Sequence, residues 1–208
     1  MLDLRVMDVQ QAITALKTDT DNFLHTQQLK IFGSGIGPSF SGPANFKMEV
    51  NPSGGFSAKF VTQDFAPLLQ DQFQAWYIPM QQLQGFTANW LPGPVDTPIR
   101  LLLTSQISGC FFGVGTSGTQ TCVAHIQPDK STHQTTAYTD AQNVSFRQSD
   151  MRLSAHVTGL KTFAALGKTY GELDYVAVVG IMDENGGWEF FSQNMESLTK
   201  NIKGISRM

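Results

Sequence analysis

A cysteine and a histidine fifteen positions apart carry the strongest chemical signal in this sequence. Cys110 follows Ser108-Gly109 at the end of an apolar segment, and His125 lies in the next segment with strand character. A glycine before a nucleophile lets the backbone turn sharply, which exposes the sulfur and directs peptide N–H groups toward one point. A cysteine at such a bend, with an imidazole on a neighbouring strand, is the minimum arrangement for thiolate catalysis. The alternative is a buried cysteine and a core histidine, since free Cys is among the most buried residue types.

Strand alternation separates the two cysteines of the chain. Successive side chains of a strand point to opposite faces, so Cys122 would point away from His125, on an apolar face. Cys122 is therefore predicted to be a core residue, and Cys110 remains as the partner of the histidine. Thr104 would lie roughly 20 Å from Cys110 in an extended strand. It can join the site only if the chain folds back at Ser108-Gly109.

Short strands are the main elements available to position these residues. β-Branched and aromatic runs between turn residues predict strands at 56–60, 72–80, 85–92, 99–107, 119–126, 175–182 and 186–193. The last two are expected to form a hairpin through Glu184-Asn185-Gly186. Helical spacing of apolar residues predicts a short helix in 5–17, and the Gly, Pro, Ser and Asn content of 33–55 predicts turns and loops. The segment 151–166 fits either a helix or a strand. The fold class is therefore predicted to be α+β, a sandwich of two mixed β-sheets with peripheral helices and long loops.

Composition indicates one globular domain, residues 1–208. The chain has 208 residues, of which 41% are hydrophobic, and two cysteines, which excludes a disulfide scaffold. A net charge of −3 gives no basic surface for nucleic acid, and no apolar run is long enough to span a membrane. The N-terminal residues lack the basic and apolar regions of a cleavable signal peptide. We therefore expect synthesis in a reducing cytosol. Export by a system that reads no N-terminal signal is left open.

Two other motifs suggest cofactors, and neither is favoured. Residues 113–118 match G-x-G-x-x-G, but a β-rich segment follows where a dinucleotide site needs a helix, so a hairpin turn is predicted. A zinc site from Cys110, Cys122, His125 and His133 is conceivable, although the gaps between them match no compact ligand pair. No metal or organic cofactor is therefore predicted.

Ile107-Ser108-Gly109-Cys110 resembles the Leu-Ser-Gly-Cys motif of the bacterial toxin protein-glutamine deamidases, the family of the cytotoxic necrotizing factors and Burkholderia lethal factor 1. The family's catalytic Cys follows Ser-Gly and its His lies one strand on, which are the places of Cys110 and His125. Thr104 has the place of a Thr six residues before the Cys of the lethal factor. Similar stretches are Trp76-Tyr-Ile-Pro79, Val123-Ala-His-Ile126, and Tyr170-Gly171 followed by Ala177-Val-Val-Gly180. Ile107 in place of Leu is the departure from the motif.

The resemblance implies hydrolysis of a glutamine side-chain amide in a host protein, of the translation-initiation helicase or Rho-type GTPase class. Cys110 would attack as a thiolate paired with the His125 imidazolium, and Thr104 would orient the imidazole. It implies a toxin or virulence effector that is made in the bacterial cytoplasm and delivered to the host cytosol. Such a protein acts as a monomer and needs no cofactor. A cysteine protease or transglutaminase, or a non-catalytic β-sandwich binding module with Cys110 buried, are the alternatives.

Overall fold

Two mixed β-sheets and two helices form the part of the chain that the computed structural model describes. The described residues are 7–33, 41–62, 67–82, 89–107, 111–117, 120–127, 158–163, 174–196, 198–199 and 201–207. Among them no helix is both long enough and apolar enough to cross a bilayer.

The two helices lie at the beginning of the chain, where α1 spans Val9–Thr18 and α2 spans Thr20–Thr26. Asp8 caps α1, because its carboxylate accepts a hydrogen bond from the Gln11 backbone N–H (2.8 Å), and the Gln11 side chain accepts one from the Asp8 N–H (3.0 Å). The helix predicted in 5–17 is thus confirmed, with its start fixed by this capping box. The sequence patterns did not single out α2.

The strands are β1 Leu29–Phe32, β2 Gly42–Val50, β3 Phe56–Thr62, β4 Gln72–Ile78, β5 Met80–Gln82, β6 Asn89–Trp90, β7 Leu101–Thr104, β8 Phe111–Ser117, β9 Gln120–Gln127, β10 Thr158–Phe163, β11 Asp174–Met182, β12 Trp188–Glu196 and β13 Ile202–Arg207. The first sheet has the order β1-β3-β2-β4-β7-β11-β12-β13. The second has the order β10-β8-β9-β5, and β6 also pairs with β9. Both sheets are mixed, because β4 pairs with β7 and β5 with β9 in parallel, while their other neighbours are largely antiparallel.

Two apolar clusters hold these layers together. One joins the helices to the outer face of the first sheet, and Phe23 of α2 and Phe46 of β2 belong to it. The other lies between the sheets, with Leu102 from the first sheet and Phe112 and Val123 from the second. The predicted α+β sandwich of two mixed sheets is therefore confirmed.

The prediction that turns and loops dominate 33–55 is wrong for Gly42–Val50, which forms β2. Ala44, Phe46 and Met48 alternate with the more exposed Pro43 and Lys47 and bury one face of the strand. The flanking Gly, Pro and Ser residues hid this period of two. Pro43 is tolerated because β3 stops pairing with β2 at Asn45, so its missing N–H costs no ladder bond on that side.

Other strand predictions are confirmed with shorter or shifted bounds. The 99–107 segment is a strand only over Leu101–Thr104, and Ile107 adds a single bridge to Val176. The hairpin of β11 and β12 is present, with Gly186 at a φ of 88° in its turn. Of the predicted 85–92 strand, β6 covers Asn89–Trp90, and the ambiguous 151–166 segment contains β10.

Candidate functional site

The chain changes sheets at Pro79, and this crossing brings Thr104 and His125 together. Ile78, the last residue of β4, pairs with Thr104 in the first sheet. Met80, the first residue of β5, pairs with His125 in the second. Because positions 78 and 80 are only two residues apart, their partners must also lie close in space. Proline suits the crossing, since it has no N–H that would be left unpaired between two ladders.

A buried hydrogen-bond chain links the two sheets at this point. The Thr104 hydroxyl Oγ1 lies 2.7 Å from the Ile78 carbonyl oxygen and 2.7 Å from Nδ1 of His125. Both side chains are fully buried. Thr104 shares its face of β7 with Leu102, and His125 shares its face of β9 with Val123, so both point into the cluster between the sheets.

The hydrogen-bond chain fixes the tautomer of His125. A carbonyl oxygen can only accept, so the single hydroxyl hydrogen of Thr104 is donated to Ile78. The Thr104 oxygen then accepts from the imidazole, which places the ring hydrogen on Nδ1. In the neutral ring, Nε2 consequently carries a free lone pair and is the basic atom.

The basic atom of His125 is buried and has no hydrogen-bond partner among the described residues. Burial in this apolar position lowers the pKa of His125 from 6.5 to about 3, because the charged imidazolium would lose its hydration. The ring is thus neutral at pH 7 unless an anion lies beside Nε2. The imidazolium that the resemblance implies is one paired with the Cys110 thiolate, and that pairing stays a prediction because Cys110 lies outside the described residues.

Cys110 lies outside the described residues, so its predicted place beyond the strand stays a prediction. The nearest described residues are Ile107 and Phe111. Ile107 belongs to the first sheet through its bridge to Val176, and Phe111 opens β8 in the second sheet, paired with Ile126. Ile126 is the immediate neighbour of His125.

Cys122 is fully buried, as predicted. Burial raises the pKa of its thiol to about 11, and a backbone hydrogen bond involving Gly115 opposes this only in part. The apolar cluster between the sheets, however, lies on the other face of β9, which carries Val123 and His125. Both faces of β9 are therefore buried here, whereas the sequence indicated an apolar surface only on the face of Cys122.

The two cofactor motifs gain no support from the described residues. The G-x-G-x-x-G segment opens no helix, because Gly113 to Ser117 lie in strand β8, which forms a hairpin with β9. The hairpin is therefore present, but the turn predicted over 113–118 is wrong for residues 113–117, which pair with β9 up to Ser117 and Gln120. For the zinc alternative, Cys110 and His133 lie outside the described residues. Within the described ranges no three His, Cys, Asp or Glu side chains are grouped as metal ligands.

The Ile78 carbonyl is the part of the site that sequence reasoning missed. A backbone acceptor has no residue-type signature, and its partner Thr104 is 26 positions away. The available signal was Pro79, which ends a strongly apolar strand and so marks a change of direction.

The comparisons with known proteins add no relative to this picture. Neither the protein-family models nor the curated proteins include one that matches this chain. The resemblance to the toxin deamidases therefore depends on the motifs around Thr104, Cys110 and His125.

Proposed function

We propose that this protein is a protein-glutamine deamidase, a hydrolase that converts a glutamine side chain of a host protein to glutamate. Cys110 is the proposed nucleophile, His125 the acid–base group and Thr104 the residue that positions the imidazole. The proposal includes a toxin or effector role, with a helicase of translation initiation or a Rho-type GTPase as the class of target. It also includes delivery to the host cytosol and action as a monomer.

The observation that carries the proposal is the hydrogen-bond chain from Ile78 through Thr104 to His125. Most buried polar side-chain atoms in proteins have a hydrogen-bond partner. Here one nitrogen is held by a dedicated donor–acceptor pair while Nε2 has no partner within the described residues. This is how a general base is oriented when its other nitrogen must remain free for a reacting group.

Deamidation by these residues proceeds in two balanced halves. Nε2 of His125 takes the thiol proton as the Cys110 sulfur bonds to the carboxamide carbon, and backbone N–H groups near the cysteine hold the oxyanion. His125 then gives that proton to the amide nitrogen as the C–N bond breaks, so that the nitrogen leaves as ammonia. Water, deprotonated by the same nitrogen, attacks the thioester, which releases glutamate and restores the thiol.

The burial of His125 decides how its proton is held during this cycle. A neutral imidazole acts as a base toward the thiol, and the imidazolium forms only beside the negative thiolate or oxyanion. An adjacent anion favours the charged ring and so offsets the desolvation that lowers the pKa of His125. Transfer of the proton to the departing amide nitrogen is then favoured, because desolvation again lowers the pKa of the ring as the oxyanion collapses to the thioester carbonyl.

The test is incubation of purified protein with candidate host GTPases and translation helicases, followed by ammonia assay and intact-mass analysis. A deamidase adds roughly one dalton per glutamine, because the NH₂ group of the carboxamide is replaced by the OH group of a carboxylic acid. Cys110→Ser should abolish the gain, and Cys122→Ala is the matched control that should retain it.

The alternatives give different products in the same experiment. A transglutaminase would incorporate an added primary amine, and a cysteine protease would yield two fragments. A non-catalytic binding module would leave the mass of the target unchanged, both with the parent chain and with Cys110→Ser. Any of these three results would contradict the deamidase.

A further inference from the structure

A cavity of about 320 Å³ lies near the start of β7, away from the candidate catalytic site. It is lined by Lys17, Leu68, Gln74, Pro98, Ile99, Arg100, Leu101 and Ile181. Leu101 belongs to the cluster on the outer face of the first sheet, whereas Thr104, at the other end of β7, faces the second sheet. The volume of the cavity is at the lower end of the range of about 300–1,000 Å³ that is typical of small-molecule sites.

Among the described residues, the polar side chains that line this cavity can all donate hydrogen bonds to an anion. Lys17 supplies an ammonium, Arg100 a guanidinium and Gln74 an amide, and none of the eight lining residues is an Asp or Glu. Within the described residues neither cation forms an ion pair. The Lys17 nitrogen instead lies 5.8 Å from the centre of the buried Phe73 ring. Partial burial lowers the pKa of Lys17, because the charged ammonium loses part of its hydration.

The rest of the lining is apolar. Ile99 and Leu101 are buried at the cavity wall, and Leu68 and Pro98 are exposed at it. A ligand that carried only charge would leave this surface in contact with water, whereas one with a hydrocarbon body would cover it. Two cations beside an apolar wall therefore match a molecule with a single anionic head and an aliphatic tail.

We propose that this cavity binds a small amphiphilic carboxylate, with its head group between Lys17 and Arg100 and its alkyl chain against the wall that includes Ile99 and Leu101. Arg100 presents a planar fork that suits a carboxylate, and the Lys17 ammonium adds a second charge-assisted bond. This binding is independent of the proposed deamidase activity.

Calorimetric titration of the full chain tests the proposal with four probes. Octanoate should bind about 15-fold more tightly than hexanoate, since each buried methylene contributes about fourfold. 1-Octanol, which has the same tail without charge, and inorganic phosphate, which has charge without a tail, should both bind at least 10-fold more weakly than octanoate.

Charge-removing variants locate the binding. Lys17→Met keeps most of the aliphatic stem, and Arg100→Gln keeps a donor, so both should fold and both should weaken octanoate about 10-fold or more. Lys203→Met, an exposed lysine on β13, is the matched control and should leave octanoate affinity unchanged. Equal binding of octanoate and 1-octanol would overturn the proposal. So would unaltered octanoate affinity in folded Lys17→Met and Arg100→Gln, or phosphate that binds as well as octanoate.

Discussion

Protonation of His125 should make the fold sensitive to acid. The pKa of His125 is about 3 in the folded chain, and an exposed histidine in the unfolded chain titrates near 6.5. Between these two values the unfolded state binds one proton more than the folded state. The contribution of His125 to stability is therefore fully present above pH 6.5 and is lost as the pH falls toward 3.

The size of the effect follows from the same two values. The free energy of unfolding should fall by up to about 1.4 kcal/mol for each pH unit below 6.5. Over the whole interval this amounts to about 5 kcal/mol, which is comparable to the total stability of a small domain. One enclosed imidazole should therefore make the free energy of unfolding clearly dependent on pH below 6.5.

Urea unfolding at several pH values between 7 and 4.5 measures this slope, and His125→Asn is the comparison. The asparagine amide can still donate to Thr104 but does not titrate, so the difference between the two curves isolates the histidine. The variant should be less stable at pH 7, because the missing ring atoms leave a cavity, and its curve should be flatter. Parallel curves would refute the reasoning. They would mean that an anion beside Nε2 keeps the pKa of His125 near its ordinary value.

The remaining predictions concern the hydroxyl and the two thiols. Thr104→Val should cost about 2–5 kcal/mol in urea unfolding and Thr104→Ser much less, because only valine leaves the Ile78 carbonyl and the His125 Nδ1–H without partners. In ammonia release, Cys110→Ser should remove activity, His125→Ala should lose about 10²- to 10⁴-fold, and Thr104→Ala should lose less. A folded Cys110→Ser protein with the parental rate would contradict that order. Cys122→Ala should lower stability but keep full activity. The Cys122 thiol should label slowly with iodoacetamide at pH 7, since burial raises its pKa to about 11.

Local patterns were sufficient to predict many of the elements. Helix α1 and the β11–β12 hairpin depend on residues close together in the sequence, which is where propensity and turn chemistry act. Strand β8 was missed because its two glycines favour a turn. Strand β2 was missed because its flanking Gly and Pro residues mask an alternating pattern that matters only once β4 lies beside it.

The candidate site was predictable only in its residue types. Thr104 and His125 were identified as partners, but the sequence could not show that Ile78 joins them, because this depends on pairing between distant strands. The depth of burial of His125 was hidden for the same reason. Its strand face looked polar beside Thr121, and it is enclosed only when the two sheets meet.

The crossing at Pro79 also has a consequence for how the protein folds. The contacts of Thr104 with Ile78 and with His125 span 26 and 21 positions of sequence, and they join segments from two sheets. Closing the loops between such distant residues costs conformational entropy, so contacts of this kind form slowly. The candidate site is therefore expected to assemble late in folding. A chain in which only the local hairpins have formed holds His125 in water as an ordinary imidazole with no preferred tautomer. The base acquires its selected protonation site only when the two sheets dock, so its titration behaviour reports the final phase of folding.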